Sequence, residues 1–591
     1  MSFRATLIWL GLAAVLFGVV CLVHWHEAGR SAAPPPGAFP AITASKIQAV
    51  QVRPGKGLEI RAVRTNGGWA LTKPLEWPAQ NLSIDQFLSG LENVVPSAFI
   101  TAAEMRARPT ADREYGFHDP QASVILEWAQ GGLHLRAGAM TAPGDQFFVQ
   151  VVGTEGAYVL PADFLKLIPS GVNDWRDRSL LNLNRLEFDR INVTNAGKVL
   201  SLQRVPEGTW RLVSPIRARA DQNRIHDALE KIHSLRIQEF VTDEPGEDLE
   251  SFALEPARLD LCLASGTNVV AHLQFGSSTS NLVYARKSDW RTVVNVQSEF
   301  VSDWQRPVAD FRDPFVLSVT EPVVSIAMDG KEPFEVIQQT NGAWQIAPSN
   351  FPGDPDLVKE FIVALSALGI EQFVKDVVTP PDLPPYGLDA PRRRCLISFP
   401  TNSVATNAIE LQFGLEQEGR VFVRRADEDS VYAIPAAQAR ALPDAPWRLR
   451  HRRLWDFPLK DVKAVVFRNE GQARRMIREG ENDWALPPGT QGVINDIAIE
   501  ETVRAIVQAS VDRWSGFGAG EAGKFGITDK SPQVVLELAD GKTVAATFGN
   551  STVSNGAFVM VVLNGHTWIG EYPWILCRDI MAHLAPPQKR S

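Results

Sequence analysis

The sequence predicts an α+β protein of four tandem repeats, each a set of antiparallel strands with a packed helix, plus one N-terminal transmembrane helix. Three observations carry this expectation. An alternating apolar segment stops at a glycine four times: LHLRAGAMT at Gly138, AHLQFGSST at Gly276, IELQFGLEQ at Gly414 and VAATFGNST at Gly549, in steps of 138, 138 and 135 residues. Other landmarks keep the same register and the same order. The chain also opens on an uncharged run long enough to cross a bilayer. One glycine is noise, but four in register with other signals mark a repeated supersecondary unit.

The first thirty residues set the expected location. Ala5 to Trp25 is 21 residues without a formal charge, enough for a membrane-spanning helix. Arg4 and the amino terminus place positive charge on the inner side, leaving the bulk of the chain outside. A cleaved signal peptide would show a shorter apolar region followed by a small-residue cleavage site. Here the run ends in His24, Trp25, His26 and Glu27, and the Val20 before Cys21 is poor for lipoprotein processing. An uncleaved anchor over 1–26 is therefore expected, followed by a linker over 27–46 whose Ala33 to Pro40 stretch (APPPGAFP) reads as a stiff spacer. His24 and His26 as a pair do not make a metal site, and side chains at the membrane interface suffice to explain them.

Units over 47–183, 184–318, 319–457 and 458–591 follow. Each opens with short alternating strands, then a Trp that follows a polar turn and leads to a Pro: Trp69, Trp210, Trp344 and Trp484. A helix comes next. In the first unit Ser83 is expected to cap it, with Asp85 in its first turn and Ile84, Phe87, Leu88, Leu91 and Val95 as its apolar stripe. The other stripes are Ile225, Leu229, Ile232 and Leu235; Leu357, Phe361, Leu365 and Leu368; Ile499, Val503, Ile506 and Val507. An aromatic, a small residue, an aliphatic and a Pro then recur, headed by Tyr115, Phe252, Tyr386 and Phe525. More alternating strands lead to the glycine, and a strand runs into a short helix. Three units close on a Trp with basic neighbours (DWRDRSLL, DWQRPVADFRD, PWRLRHRRLWDF); the fourth lacks that closure. The landmark tryptophans read as core plugs beside the helix stripe, with carbohydrate platforms as the other reading.

Composition agrees with four separate cores. A chain of 591 residues exceeds what one core supports. A net charge of −9 argues against nucleic-acid binding, and four cysteines are too few for a disulfide framework. The chemistry search is largely negative. GAGEAGKF (518–525) imitates a phosphate loop, but Phe525 stands where Ser or Thr must hold Mg²⁺, so no nucleotide is expected. No cofactor, metal or catalytic residue is expected, although dispersed carboxylates leave a hydrolase as the third reading. Two basic stretches stand out, Arg392 to Arg394 and the run at Arg448, Arg450, Arg452 and Arg453. They read either as a solvated strand edge and an ion-paired linker between units, or as a docking patch for an acidic partner or anionic headgroups.

The N-terminal anchor, the Trp-to-Pro opening, the Tyr-Gly-Leu signal, the Phe-Gly strand and the closing Trp-Arg together resemble the bacterial domain of unknown function numbered 4340, over roughly residues 47–584. The third copy is clearest, with Trp344, Tyr386-Gly387-Leu388, Phe413-Gly414 and Trp447-Arg448. The second copy has Ala253 for Gly, and the fourth has Phe525-Gly526-Ile527. The resemblance brings no catalytic residues. It implies an envelope accessory role, because such proteins tend to be encoded beside multidrug-type and gliding-motility-type ABC transporter components. The expected protein is thus a non-catalytic accessory or scaffold in the bacterial inner membrane, extracytoplasmic in bulk, with transporter subunits or other envelope proteins as partners. A cell-wall or polysaccharide-binding module is the alternative.

Overall fold

The computed structural model describes residues 13–22, 39, 42–55, 57–244, 246, 248–319, 322–400, 408–490 and 492–586. The chain divides into two compact bodies, Met1–Val199 with His226–Arg306 and Leu200–Ile225 with Pro307–Ser591. Four antiparallel sheets organise it, and the strands of each fall inside one sequence repeat.

The first sheet defines the pattern. Its strands are β1 (Ala49–Pro54), β2 (Ile60–Thr65), β3 (Gly68–Lys73), β4 (Trp77–Pro78), β5 (Ala98–Ile100), β6 (Ala122–Trp128), β7 (Gly131–Met140), β8 (Gln146–Val151) and β9 (Ala157–Pro161). They are ordered β4-β3-β2-β1-β6-β7-β8-β9-β5. The second and third sheets repeat this nine-strand order, and the fourth has eight strands, with none corresponding to β4 among the described residues. Alternation along the strands puts one face on the core and leaves the other to cross-strand polar pairs, such as Arg61 with Glu127 at 2.8 Å.

One principal helix per repeat covers the apolar face: α1 (Asn81–Asn93), α2 (Gln222–Ser234), α3 (Pro355–Ser366) and α4 (Asp496–Val507). The predicted stripes are buried at Ile84, Phe87, Leu88 and Leu91, at Ile225, Ile232 and Leu235, at Phe361, Leu365 and Leu368, and at all four positions of α4. Each such aliphatic or aromatic contributes on the order of 1.5–3 kcal/mol of burial. Leu229 and Leu357 of the expected stripes are only half-buried, and two further details depart from expectation. Ser83 lies inside α1 and Gln80 is its N-cap, because the backbone N–H of Gln80 is held by the carbonyl of Trp175 in the closing segment. Val95 lies beyond the helix end and is 70% exposed.

The glycines and the aromatic landmarks turn out to be one feature. Gly138, Gly276, Gly414 and Gly549 each sit at a register shift within the strand equivalent to β7, two or three residues before its end. The expected strand end is therefore a β-bulge: the apolar alternation stops there, but pairing continues into polar residues. A Cβ on these glycines would stand 2.0, 2.0, 2.1 and 2.3 Å from the carbonyl oxygens of Tyr115, Phe252, Tyr386 and Phe525. The aromatic turn lies directly on the bulge, and only glycine permits that approach. The residue after each aromatic adopts a left-handed backbone (Gly116, Ala253, Gly387, Gly526), and the next is buried (Phe117, Leu254, Leu388, Ile527). Each aromatic ring then packs on a ring from the following strand: Tyr115 on Phe148, Phe252 on Tyr284, Tyr386 on Phe422 and Phe525 on Phe558, with centroids 4.6–5.1 Å apart.

Before the first repeat, Phe39 and Ile42 are buried, and Phe39 meets Tyr158 edge-on at 5.6 Å. Residues 13–22 are helical with exposed apolar side chains, Phe17 at 71% and Leu22 at 69% among them. No helix among the described residues is long and apolar enough to cross a membrane. The rest of the expected span (5–12 and 23–25), His24, His26 and all of the Pro-rich stretch except Phe39 lie outside the described residues.

Candidate functional site: the closing arginines and the cleft at the first junction

The closing segments return to the helix start of their own repeat. The carbonyls of Trp175, Phe311 and Leu449 accept the backbone N–H groups of Gln80, Asp221 and Asp354 at 2.8, 2.9 and 2.9 Å. One residue later, Arg176, Arg312 and Arg450 form β-bridges to Ala79, Ala220 and Gly353. This fixes three arginine side chains equivalently, and all three are buried.

Each arginine reaches the strand of the next repeat that corresponds to β5. The Arg176 guanidinium lies 3.8 Å from the Phe240 ring centroid and 4.3 Å from that of Trp77. Its Nη atoms donate to Asp243 at 2.8 and 3.1 Å and to Thr292 at 3.3 Å. Burial lowers its pKa, opposed by Asp243. Arg312 repeats the motif, 3.7 Å from Phe373 and ion-paired with Asp376. A buried guanidinium needs such partners, since an unpaired buried charge is costly.

The third junction keeps the arginine and changes the socket. Aligned on the strand, Trp514 takes the place of Phe240 and Phe373, and Phe517 that of Asp243 and Asp376. Arg450 lies 5.1 Å from the Trp514 ring and 4.4 Å from that of Trp568, with its carbonyl accepting Trp514 Nε1–H at 3.1 Å. Phe351 and Phe517 pack on Trp568 at 4.9 and 4.6 Å. Arg450 Nε and Nη1 have no hydrogen-bond partner among the described residues, and burial pushes its pKa down to about 10. Cation–π attraction holds this charge, where a carboxylate holds the other two.

The remaining arginines of the expected docking patch carry acids. Arg448 pairs with Asp444 at 3.1 Å, Arg453 with Asp456 at 3.6 Å, and Arg452 with Asp354 and Asp356 at 2.9 and 3.0 Å. Asp354 also caps α3 through the N–H groups of Asp356 and Leu357. The basic run thus joins helix cap to closing segment.

The landmark tryptophans divide three to one. Trp69, Trp210 and Trp484 are buried, while Trp344 is half-buried. Trp69 Nε1–H donates to Asp85 at 3.0 Å and Trp484 Nε1–H to Glu500 at 2.9 Å. Arg64, Arg204 and Arg478 stand over the three buried indoles. Across from Trp344 the strand carries Gln338 instead. Trp69 and Trp210 also have their backbone N–H groups braced by the carboxamides of Asn81 and Gln222, where the third repeat has Pro355.

A cleft of about 640 Å³ opens at the first junction, lined by Trp69, Trp77 and Trp290 together with Glu76, Asn182, Arg185 and Lys287. Elsewhere the chemistry is sparse. Among the described residues no three His, Cys, Asp or Glu side chains gather as a metal site. The four cysteines are unpaired thiols. Asp512 has its pKa raised, by burial and then by Glu571, while Glu571 accepts hydrogen bonds from Arg513 and Ser515.

These features define a tandem-repeat α+β protein whose recurring residues build a bulge lock within each repeat and an arginine socket between repeats. The chain belongs to the family Domain of unknown function (DUF4340), whose model matches residues 69–248, 210–391 and 344–527. Each match starts at a landmark Trp and runs through the following junction. The matches are three and overlapping, and residues 47–68 and 528–584 of the stretch expected to show the resemblance fall outside them. No curated protein sequence matches the chain.

The socket residues Phe240, Asp243, Phe373, Asp376, Trp514 and Phe517, the partner rings at Phe148, Tyr284, Phe422 and Phe558, and Trp290 escaped the sequence reading. A signal was present: EFVTD and QFVKD stand 133 residues apart, close to the repeat step.

Proposed function

We propose that this chain is a membrane-anchored, extracytoplasmic, non-catalytic scaffold whose repeats present surfaces to a transporter of the ABC class or a similar envelope assembly. The observation that supports the reading is the use to which the recurring residues are put. Glycine, aromatic, tryptophan and arginine recur in all or most repeats, and each is engaged in packing or pairing. Arrays of this kind present extended surfaces. The exposed apolar helix at residues 13–22 supports the anchor.

Two measurements test it. Full-length protein should stay with membranes through osmotic shock and high-salt washing and enter solution only with detergent, whereas a chain lacking residues 1–26 should be released by shock alone. Photo-crosslinking from surface positions on full-length protein in membranes should then recover transporter subunits. Release of the full-length chain without detergent overturns the anchor. Crosslinks confined to cell-wall polymer overturn the transporter role.

A further inference from the structure

The framework of the cleft at the first junction recurs in the other repeats, but the residues that line it differ. The position of Trp77 is held by Ala218 in the second repeat and Phe351 in the third. Six residues after the packed rings Tyr284 and Phe422 stand Trp290 and Glu428. Glu428 is engaged with Arg219 and Tyr432, so that hairpin position is a structural brace in the third repeat. In the second repeat it carries a half-buried indole 4.3 Å from the Trp77 ring. The indole N–H groups of Trp69 and Trp77 are taken internally, by Asp85 and by the Asp177 carbonyl. That of Trp290 has no hydrogen-bond partner among the described residues, nor has the exposed carboxylate of Glu76 on the same cleft. Lys287 stands over the Trp290 ring at 5.8 Å, and Arg185 and Asn182 complete a polar rim. A half-buried indole with an unused donor, backed by the Trp77 ring at a tilt of 54° and ringed by both acids and bases, matches a ligand with an apolar face and many hydroxyls.

We propose that this cleft binds a β-linked glycan chain, a pyranose ring covering Trp290 with its C–H face while Glu76, Asn182 and Lys287 bond its hydroxyls. A β-1,4-linked chain runs extended and offers successive pyranose faces along a wall, whereas an α-1,4-linked chain coils away from it. The proposal is independent of the scaffold reading. The experiment titrates the full chain with cellohexaose, chitohexaose and maltohexaose, reading tryptophan emission and heat. At least one β-linked hexasaccharide should bind saturably and maltohexaose should not. Trp290→Ala should weaken binding about tenfold or more, Trp290→Phe should retain part of it, and Glu76→Gln should weaken it severalfold. Thermal unfolding of each variant alongside the parent separates lost binding from lost fold, and Glu76→Gln, at an exposed position, supplies the readout if Trp290→Ala unfolds. Failure of both β-linked probes at millimolar concentration overturns the proposal. So does equal binding of maltohexaose, or unchanged affinity in a folded Trp290→Ala.

Discussion

The carbonyl oxygen of Tyr386 stands 2.1 Å from the point that a Cβ on Gly414 would occupy. The backbone of Gly414 lies outside the left-handed region, so the requirement for glycine is steric. Gly414→Ala must push the Tyr386 turn off the bulge and should destabilise the protein by about 2–4 kcal/mol. Gly523→Ala, facing open space with an ordinary backbone, should stay within about 0.5 kcal/mol. Urea unfolding of both variants checks this, and equal midpoints would disprove the lock.

The landmark tryptophans should not be equivalent on truncation. Trp484→Ala removes a buried indole and strips buried Glu500 of a donor, leaving Arg478 as its close partner at 2.8 Å. A loss of about 3–5 kcal/mol is expected. Trp344, half-buried and without an arginine across the strand, should lose about 1–2 kcal/mol on the same change. Thermal melts of the two variants decide the order.

Arg176 and Arg450 occupy equivalent places with opposite surroundings. Arg176→Met discards hydrogen bonds to Asn173, Asp243 and Thr292 and should cost about 1–3 kcal/mol. Arg450→Met replaces an unpaired buried charge by a flexible apolar chain in an aromatic socket, and should be neutral or stabilising by up to about 1–2 kcal/mol. Denaturant midpoints that fall equally for both would show that the third socket depends on its charge as much as the first.

Asp354 gives a pH signature. Burial works against its charge, but hydrogen bonds from the Arg452 side chain and backbone and from the Leu357 N–H outweigh it and hold the carboxyl below its ordinary 3.8. A carboxyl more acidic folded than unfolded stabilises the fold above that ordinary value, and the contribution fades as pH falls through the folded one. The gap in unfolding midpoint between parent and Asp354→Asn should therefore be full at pH 7 and pH 5 and narrow below about pH 3.8. A gap constant from pH 7 to pH 2 would assign the effect of the substitution to something other than charge.

Much of the fold was legible because period-two and helical patterns recurred in register. Ile499, Val503, Ile506 and Val507 announce α4 by spacing, and four glycines announce an equivalent place in each sheet, though as strand ends and not as bulges. What the sequence hid was pairing. Nothing local to Tyr115 says that its carbonyl meets Gly138, since that contact depends on how β6 and β7 place the turn. The burial of the closing arginines was not legible because arginine is ordinarily an exposed residue. Their burial follows from partners one repeat away, Phe240 and Asp243 for Arg176. Trp290 was overlooked because it does not recur, and its place in the cleft depends on Trp77, which lies in a different repeat.

The tandem matches begin at a tryptophan and end beyond the next repeat's socket, so each spans a joint with the segments on either side of it. Trp210 and Trp344 both follow turns with a left-handed glycine, Gly208 and Gly342. Excising 210–343 would join Thr209 to Trp344 without disturbing that turn, and would present Arg176 with Phe373 and Asp376 in place of Phe240 and Asp243. Because those two sockets share their chemistry, the shortened chain should close on itself with one joint fewer, which makes repeat number a quantity that a single in-frame deletion can change.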